Sequence, residues 1–357
     1  MVQDRISRLR DFISMKGLDG IFISKQENVH YFSGFTGDDS LLLVTGKKAF
    51  LITDSRYTEQ ASAQAPLYEI SEQKDGLIKH AATLSKSLGM KQTGFEGSSL
   101  SFDAYKKFVL LADSISAWVP VSLDRLREIK EQEEIALIRK AVEISDEAFS
   151  DVIEFIREGV SEIEVAAHLE NRMRELGSEK PSFDTIVASG ARGSLPHGIA
   201  TEKLLKSGEF VTMDFGAVYQ GYHSDITRTV VVGEADEKHR KLYDIVLRSQ
   251  MLGESEVKPG ASGVAVDRAV RNFLKEYGYG FGHGLGHSLG LEIHEQPTLS
   301  PHSTCDALMP GMLITVEPGV YLPGWGGLRI EDTVLVTEEG SEPLTKSPKH
   351  LIETGRR

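Results

Sequence analysis

Along the first third of the chain, apolar positions alternate between helical and strand spacing. Ile6, Leu9, Phe12 and Ile13 share one helical face over residues 4–16, and Gly17 supplies a stop. Short apolar runs at 20–24, 41–45 and 49–52 read as buried strands, the last two joined as a hairpin through Gly46-Lys47-Lys48. Helical spacing returns at 58–65, 76–88 and 101–112, with further strands near 67–71 and 94–96. This alternation predicts a compact α/β domain with a largely covered sheet. Pro120 and the residues after it read as a linker, which gives a first domain 1–122 and a second 123–357.

The second part has another rhythm. Ile135, Ile138, Val142, Phe149, Val152, Ile153 and Ile156 form a stripe that predicts a helix over 128–158, closed by Gly159. Ser161-x-x-Glu164 is a capping box opening another helix that ends at Gly177. Helices are also expected at 236–252 and 263–277. The segments between them have strand character, so this part reads as α+β, helices against an antiparallel sheet.

Those segments hold the candidate chemistry. EFVTMDFGAVYQGYHSDITRTVVV (209–232) reads as a β-hairpin turning around Gln220-Gly221. With its centre between Tyr219 and Gln220, Asp214 faces Asp225. Like charges there repel, so the pair calls for a shared proton or a cation, unless both acids are solvated at an edge. FGHGLGHSLGLEIHE (281–295) holds His283, His287 and His294. Its glycines disfavour a helix and fit a close-packed extended backbone that admits a ligand. Glu317 lies at the exit of a strand closed by Pro318-Gly319. In the strand 326–337, Arg329 and Glu331 share one face, and Asp332, on the other, is expected to face solvent. Asp214, Asp225, His287, Glu317 and Glu331 together are too negative to cluster without cations. They suit two divalent ions, and oxygen donors with one imidazole favour Mn²⁺, Co²⁺ or Fe²⁺. Two such ions can hold a hydroxide and polarise a carbonyl. In the first domain, Asp54, Arg56 and Tyr57 read as a structural salt bridge or turn.

Composition narrows the partners. A net charge of −13 over 357 residues argues against nucleic acid and against an anionic membrane. One cysteine, Cys305, excludes an intrachain disulfide and fits a reducing compartment. No apolar run approaches the ~20 residues of a membrane span. The charged N-terminal stretch lacks the apolar core of a secretory signal, so a cytoplasmic chain is expected.

These motifs together, DFG…SDITRT, HGxGHxxGLxxHExP, VEPGxY and RIEDT, resemble the Xaa-Pro peptidases, prolidase and aminopeptidase P. NVHYFSGFTGDDSLLLVT and TDSRYTEQA look like the creatinase-type N-terminal domain of the same group. The resemblance implies a pita-bread catalytic domain with an internal pseudo-twofold, preceded by a smaller α/β domain. It implies two divalent ions, Mn²⁺ ahead of Co²⁺ or Zn²⁺, held by Asp214, Asp225, His287, Glu317 and Glu331, with Asp225 and Glu331 bridging. It implies that His294 contacts the scissile carbonyl or tetrahedral intermediate and that Glu317 is the proton shuttle. His197 and His283 match substrate-binding histidines, and Tyr321 and Arg329 match pocket positions. The implied substrates are small peptides with proline second, and a homodimer is expected. Dipeptide-restricted relatives often carry a basic residue just after HExP, where this chain has Thr298, so aminopeptidase P-like cleavage leads and dipeptidase activity is the alternative. A creatinase-like amidinohydrolase, which works without the carboxylate set, and a methionine aminopeptidase, which usually lacks the first domain, fit less well. A partner-binding protein on the same fold is the non-enzymatic rival.

Overall fold

In a computed structural model describing residues 2–355, the chain divides into two compact units, Met1–Leu126 and Arg127–Arg357. The first runs α1 (Val2–Met15), β1 (Gly20–Ile23), α2 (Gln26–Ser33), β2 (Ser40–Thr45), β3 (Ala49–Thr53), α3 (Thr58–Gln64), β4 (Glu69–Glu72), α4 (Leu77–Ser87), β5 (Gln92–Glu96), α5 (Phe102–Leu111) and β6 (Ala117–Val121). Its mixed sheet has the order β4-β3-β2-β1-β5-β6. β2 and β3 form the expected hairpin, and β5 and β6 join in parallel. The segment from Pro120 is therefore not simply linker. Pro120 is itself a strand residue, tolerated because β6 is the sheet edge and needs no donor on its outer side. Arg56 is ion-paired with Asp54 and Asp39, at 2.6 and 2.7 Å, a surface contact that organises a turn.

The second unit begins with α6 (Gln132–Phe155) and α7 (Glu162–Glu175). α6 is shorter at both ends than its apolar stripe predicts. Glu131 and Glu134 close a capping box at the N-terminus, and Ile156 is already extended, ahead of Gly159. The expected Ser161–Glu164 box is formed on α7. Strands β7 (Ile186–Ser189), β8 (Phe210–Phe215), β9 (Val218–Tyr219), β10 (Tyr222–His223) and β11 (Ile226–Val232) follow. Then come α8 (Glu237–Glu256), α9 (Gly263–Glu276), β12 (Gly286–Ser288), β13 (Glu295–Leu299), β14 (Leu313–Val316), β15 (Gly319–Leu322), β16 (Gly326–Arg329), β17 (Asp332–Val336), β18 (Ser341–Pro343) and β19 (Glu353–Thr354).

Two similar halves result. α6 and α7 bury Phe149, Val152, Val165 and Leu169 with Val211, Met213 and Val230 of the β8–β11 hairpin. α8 and α9 bury Leu242, Val246, Val266 and Val270 with Ile314, Val316 and Val334 of the β14–β17 hairpin. Each half is thus a helix pair covering a hairpin, which is the pita-bread arrangement. Each hairpin also breaks midway along both strands, at 216–217 and 224–225 in the first and at 317–318 and 330–331 in the second.

The first hairpin turns at Gln220-Gly221, both at positive φ (48° and 81°), as a two-residue turn of this hand requires. That centre lies one residue later than the sequence predicts. Asp214 therefore pairs with Thr227, not Asp225. The side-chain alternation survives a shift of two in the pairing, so the two acids become diagonal neighbours instead of opposed ones.

Candidate metal centre

The opposed acids lie in the second hairpin. Val316 pairs with Asp332 and Gly319 with Arg329, in one register on both sides of the gap. Glu317 and Glu331 thus face each other where both strands leave the pleat. A break of this kind re-aims side chains, as bulges do beside functional sites. Asp225 occupies the matching gap, just before β11, and Asp214 precedes the first gap on β8.

His287 comes from β12. No Cβ could stand at the preceding Gly286, where it would fall 1.8 Å from the Thr315 carbonyl oxygen, so glycine lets β12 press onto β14. The Thr315 hydroxyl accepts from the His287 backbone N–H at 3.0 Å. The ring's Nδ1 lies 3.0 Å from the Ser288 carbonyl and donates to it, which leaves Nε2 bare. That nitrogen is 3.5 Å from Asp225 Oδ2 and 3.6 Å from Glu317 Oε1. Asp225, His287 and Glu331 offer ligand atoms that all lie within 4.8 Å of one another.

Three buried carboxylate oxygens here, Asp214 Oδ1, Asp225 Oδ1 and Glu331 Oε1, have no hydrogen-bond partner. Burial, and then the neighbouring acids, push Asp225 and Glu331 well above the usual carboxylate range. Burial raises Glu317 to about 8 and lowers His287 to about 4. Unless cations enter, the cluster can lower its charge only by taking up protons. Orphaned oxygens, a bare imidazole nitrogen and an excess of buried negative charge are what divalent cations satisfy, so the donor set fits them.

Arg329 anchors one side of the nest. Its Nη2 donates to Asp214 Oδ2 at 2.5 Å, its Nη1 to the Tyr321 hydroxyl at 2.8 Å and to the Pro196 carbonyl at 3.3 Å, and its Nε to Thr227 Oγ1 at 3.0 Å. Thr227 in turn donates to Glu331 Oε2 at 2.6 Å. The Tyr321 oxygen lies 2.9 Å from His283 Nε2, and His283 Nδ1 lies 2.7 Å from the Gly284 carbonyl. With Arg329 donating to the phenol, the phenol proton points to His283. Both nitrogens of that neutral ring are then engaged within the protein, and burial holds its pKa down at about 4.

Asp332 departs from its expected place. It is fully buried, ion-paired with Arg228 at 2.6 Å and Lys349 at 2.7 Å. The strand break explains this. Glu331 turns into the nest, while Asp332 begins β17 and points to a separate buried ionic cluster under α8 that includes Glu254.

A cavity of about 570 Å³ opens over the nest, lined also by His197, His294 and Thr298. The His294 ring lies 4.5 Å from the His287 ring. Phe183, Ile186, Pro196, Ile199 and Ile293 make an apolar wall. None of these five was singled out from sequence, because apolar side chains scattered over 183–199 and beside His294 show no clear periodicity.

Such donors at the floor of a cavity define a divalent-metal centre of hydrolytic type. Residues 136–338 match the model of metallopeptidase family M24, and residues 5–129 match the creatinase/prolidase N-terminal domain. The chain belongs to the M24 family and is a metallopeptidase. It is 45% identical to the uncharacterized peptidase YqhT of Bacillus subtilis, over 98% of this chain and 99% of that one. Among solved structures it is similar to an Xaa-Pro dipeptidase from Bacillus anthracis, with a TM-score of 0.95 and 46% identity over 99% of this chain and 100% of that one. An X-Pro aminopeptidase from Thermotoga maritima superposes with a TM-score of 0.89 at 38% identity, over 95% of this chain and 98% of that one.

Proposed function

We propose that this peptidase cleaves the bond before proline at the N-terminus of short peptides, in the manner of aminopeptidase P. The observation that carries the length preference is the state of Arg329. Among the described residues lining the cavity it is the one arginine or lysine, and Asp214 already holds it. A dipeptide carries its carboxylate on the proline, beside a nest of acids, and a buried carboxylate without a partner is costly. Thr298 offers a hydroxyl and no charge. Longer peptides move that carboxylate away. The acids also favour a positively charged α-amino group, and the apolar wall suits the proline ring.

Asp214, Asp225, His287, Glu317 and Glu331 would hold two divalent ions, Mn²⁺ ahead of Co²⁺ or Zn²⁺. Bound, the ions supply Lewis acidity and an activated water. His294 would donate to the oxygen that gains charge at the scissile carbonyl. Glu317 would take the proton lost by the attacking water and pass it to the leaving proline nitrogen. His197, His283, Tyr321 and Arg329 would shape and orient the bound peptide. A homodimer follows from the family resemblance, and the single cysteine supports a reducing, cytoplasmic setting. Strict Xaa-Pro dipeptidase activity is the second reading, favoured by the name of the Bacillus anthracis relative.

A panel of Xaa-Pro and Xaa-Pro-Yaa peptides in Mn²⁺ tests the proposal. The expected result is kcat/KM for the tripeptides at least equal to that for the dipeptides. Turnover of dipeptides alone would replace it with the second reading. Turnover of neither would overturn the proline-peptide reading of this metallopeptidase.

A further inference from the structure

Glu162 is the first residue of α7 and lies outside the cavity, yet its carboxylate is fully buried. It takes up donors from a single loop. Oε1 accepts from the backbone N–H and the hydroxyl of Ser189, both at 2.8 Å. Oε2 accepts from the backbone N–H of Thr201 at 3.2 Å, the Thr201 hydroxyl at 2.8 Å and Arg192 Nη1 at 2.7 Å. Ser189 ends β7 and Thr201 ends the loop, so one side chain pins both ends. Arg192 also donates to the Ile199 carbonyl at 2.8 Å, which ties the middle of the loop to the same carboxylate. A surface loop of this length does not ordinarily close on a buried charge. Charged groups go inside when they are paired and hydrogen-bonded, and this one has five donors.

The clasped loop carries Pro196, His197 and Ile199 into the cavity wall. The Pro196 carbonyl accepts from Arg329, so the loop meets the metal nest through the arginine that holds Asp214. The loop backbone also bridges β7 at Ile186, another wall residue, through Ile199. Shifting the clasp would move one side of the cavity without touching a carboxylate of the nest.

We propose that Glu162 is a positioning residue for the peptide-binding wall, acting through the 189–201 loop to set His197 and Ile199 over the metal centre. The proposal rests on the functional reading above for what the wall binds, and its test separates the two. The variants are Glu162→Gln, which removes the charge and places an NH₂ among the donors, and Thr201→Val, which removes one donor and strands no charge. Two readouts are needed. The first, independent of activity, is hydrogen exchange over residues 190–200 in the full chain with Mn²⁺ present. The expected result is faster exchange there in both variants, with bound Mn²⁺ and exchange in β14 and β17 unchanged. The second is a double-mutant cycle in kcat/KM on an Xaa-Pro-Yaa peptide. Misplacing a binding group by about 1 Å costs on the order of 10²-fold. Glu162→Gln should therefore lower kcat/KM by that order in the wild-type chain and by less than about 3-fold in a His197→Ala background, because residues acting as one unit are not additive. Equal losses in both backgrounds, or loop exchange as slow as wild type, would overturn the proposal. A wild-type chain that turns over no proline peptide would sink the functional reading, and the exchange data would still decide the clasp.

Discussion

Glu317 and Glu331 face each other across a hairpin whose two strands break at the same level. Opposed like charges weaken a sheet, and burial raises the pKa of both carboxyls. The hairpin is therefore built for a guest that neutralises it.

In the metal-free protein this pair makes stability depend on pH. A carboxyl with a raised folded-state pKa binds its proton more tightly folded than unfolded. Its contribution is full at low pH and falls as pH climbs from the unfolded value towards the folded one. For Glu317 that window runs from 4.5 to about 8. With a chelator present, the thermal midpoint should fall between about pH 6.5 and pH 8, above the range in which the neutral buried His283 and His287 pull stability the other way. Excess Mn²⁺ should reverse the slope, since cations compete with protons for the same oxygens. Thermal scans across this range check both arms, and a flat chelated profile would contradict the raised carboxyls.

Glu331 and its neighbour Asp332 should separate cleanly. Glu331→Gln removes a repulsive charge, so the chelated protein should melt higher than wild type at pH 8 while losing the Mn²⁺ response. Asp332→Asn strips a fully buried partner from Arg228 and Lys349. Loss of one partner from such a pair costs about 3 kcal/mol, so this variant should melt lower with or without metal. Matching melting shifts in the two variants would contradict the division between nest and ionic cluster.

Part of this was legible in the chain and part was not. Regular apolar spacing located α1, α4, α5, α7 and α9 to within a residue or two, and the glycines around His287 correctly ruled out a helix there. The Gln220-Gly221 turn was also visible, but its centre was not, and one residue there decides which acid faces which. Pro318-Gly319 marked the break after Glu317, but the facing break was hidden because Ile330-Glu331 sits inside an unbroken run of strand-type residues. Asp332 was misplaced for that reason, since alternation gives the opposite face but not the buried Arg228 and Lys349 waiting on it. Glu162 carried no signal of its own. A glutamate at the start of a helix is ordinary, and its five donors come from residues 27 to 39 positions away.

His294→Ala should lower kcat by roughly 10²–10³-fold, the usual cost of losing one donor to a developing oxyanion. Metal content should stay at the wild-type level, because the metal-facing nitrogen belongs to His287. Steady-state kinetics with metal analysis checks this. Loss of metal would make His294 a ligand, and a raised KM with unchanged kcat would make it a ground-state contact.

Thr298→Arg should change the substrate length preference. Thr298 lines the cavity, and a guanidinium there could pair with the carboxylate of an Xaa-Pro dipeptide. The ratio of dipeptide to tripeptide kcat/KM should rise by about 10-fold or more, and an unchanged ratio would place the dipeptide carboxylate elsewhere.

The most direct test is to titrate the metal-stripped protein with Mn²⁺ while following both bound metal and cleavage of an Xaa-Pro-Yaa peptide. No turnover is expected before metal is added, and full turnover is expected once two equivalents are bound at the nest. Full activity in the stripped protein, or binding of two equivalents with no cleavage of any proline peptide, would contradict a two-metal Xaa-Pro peptidase.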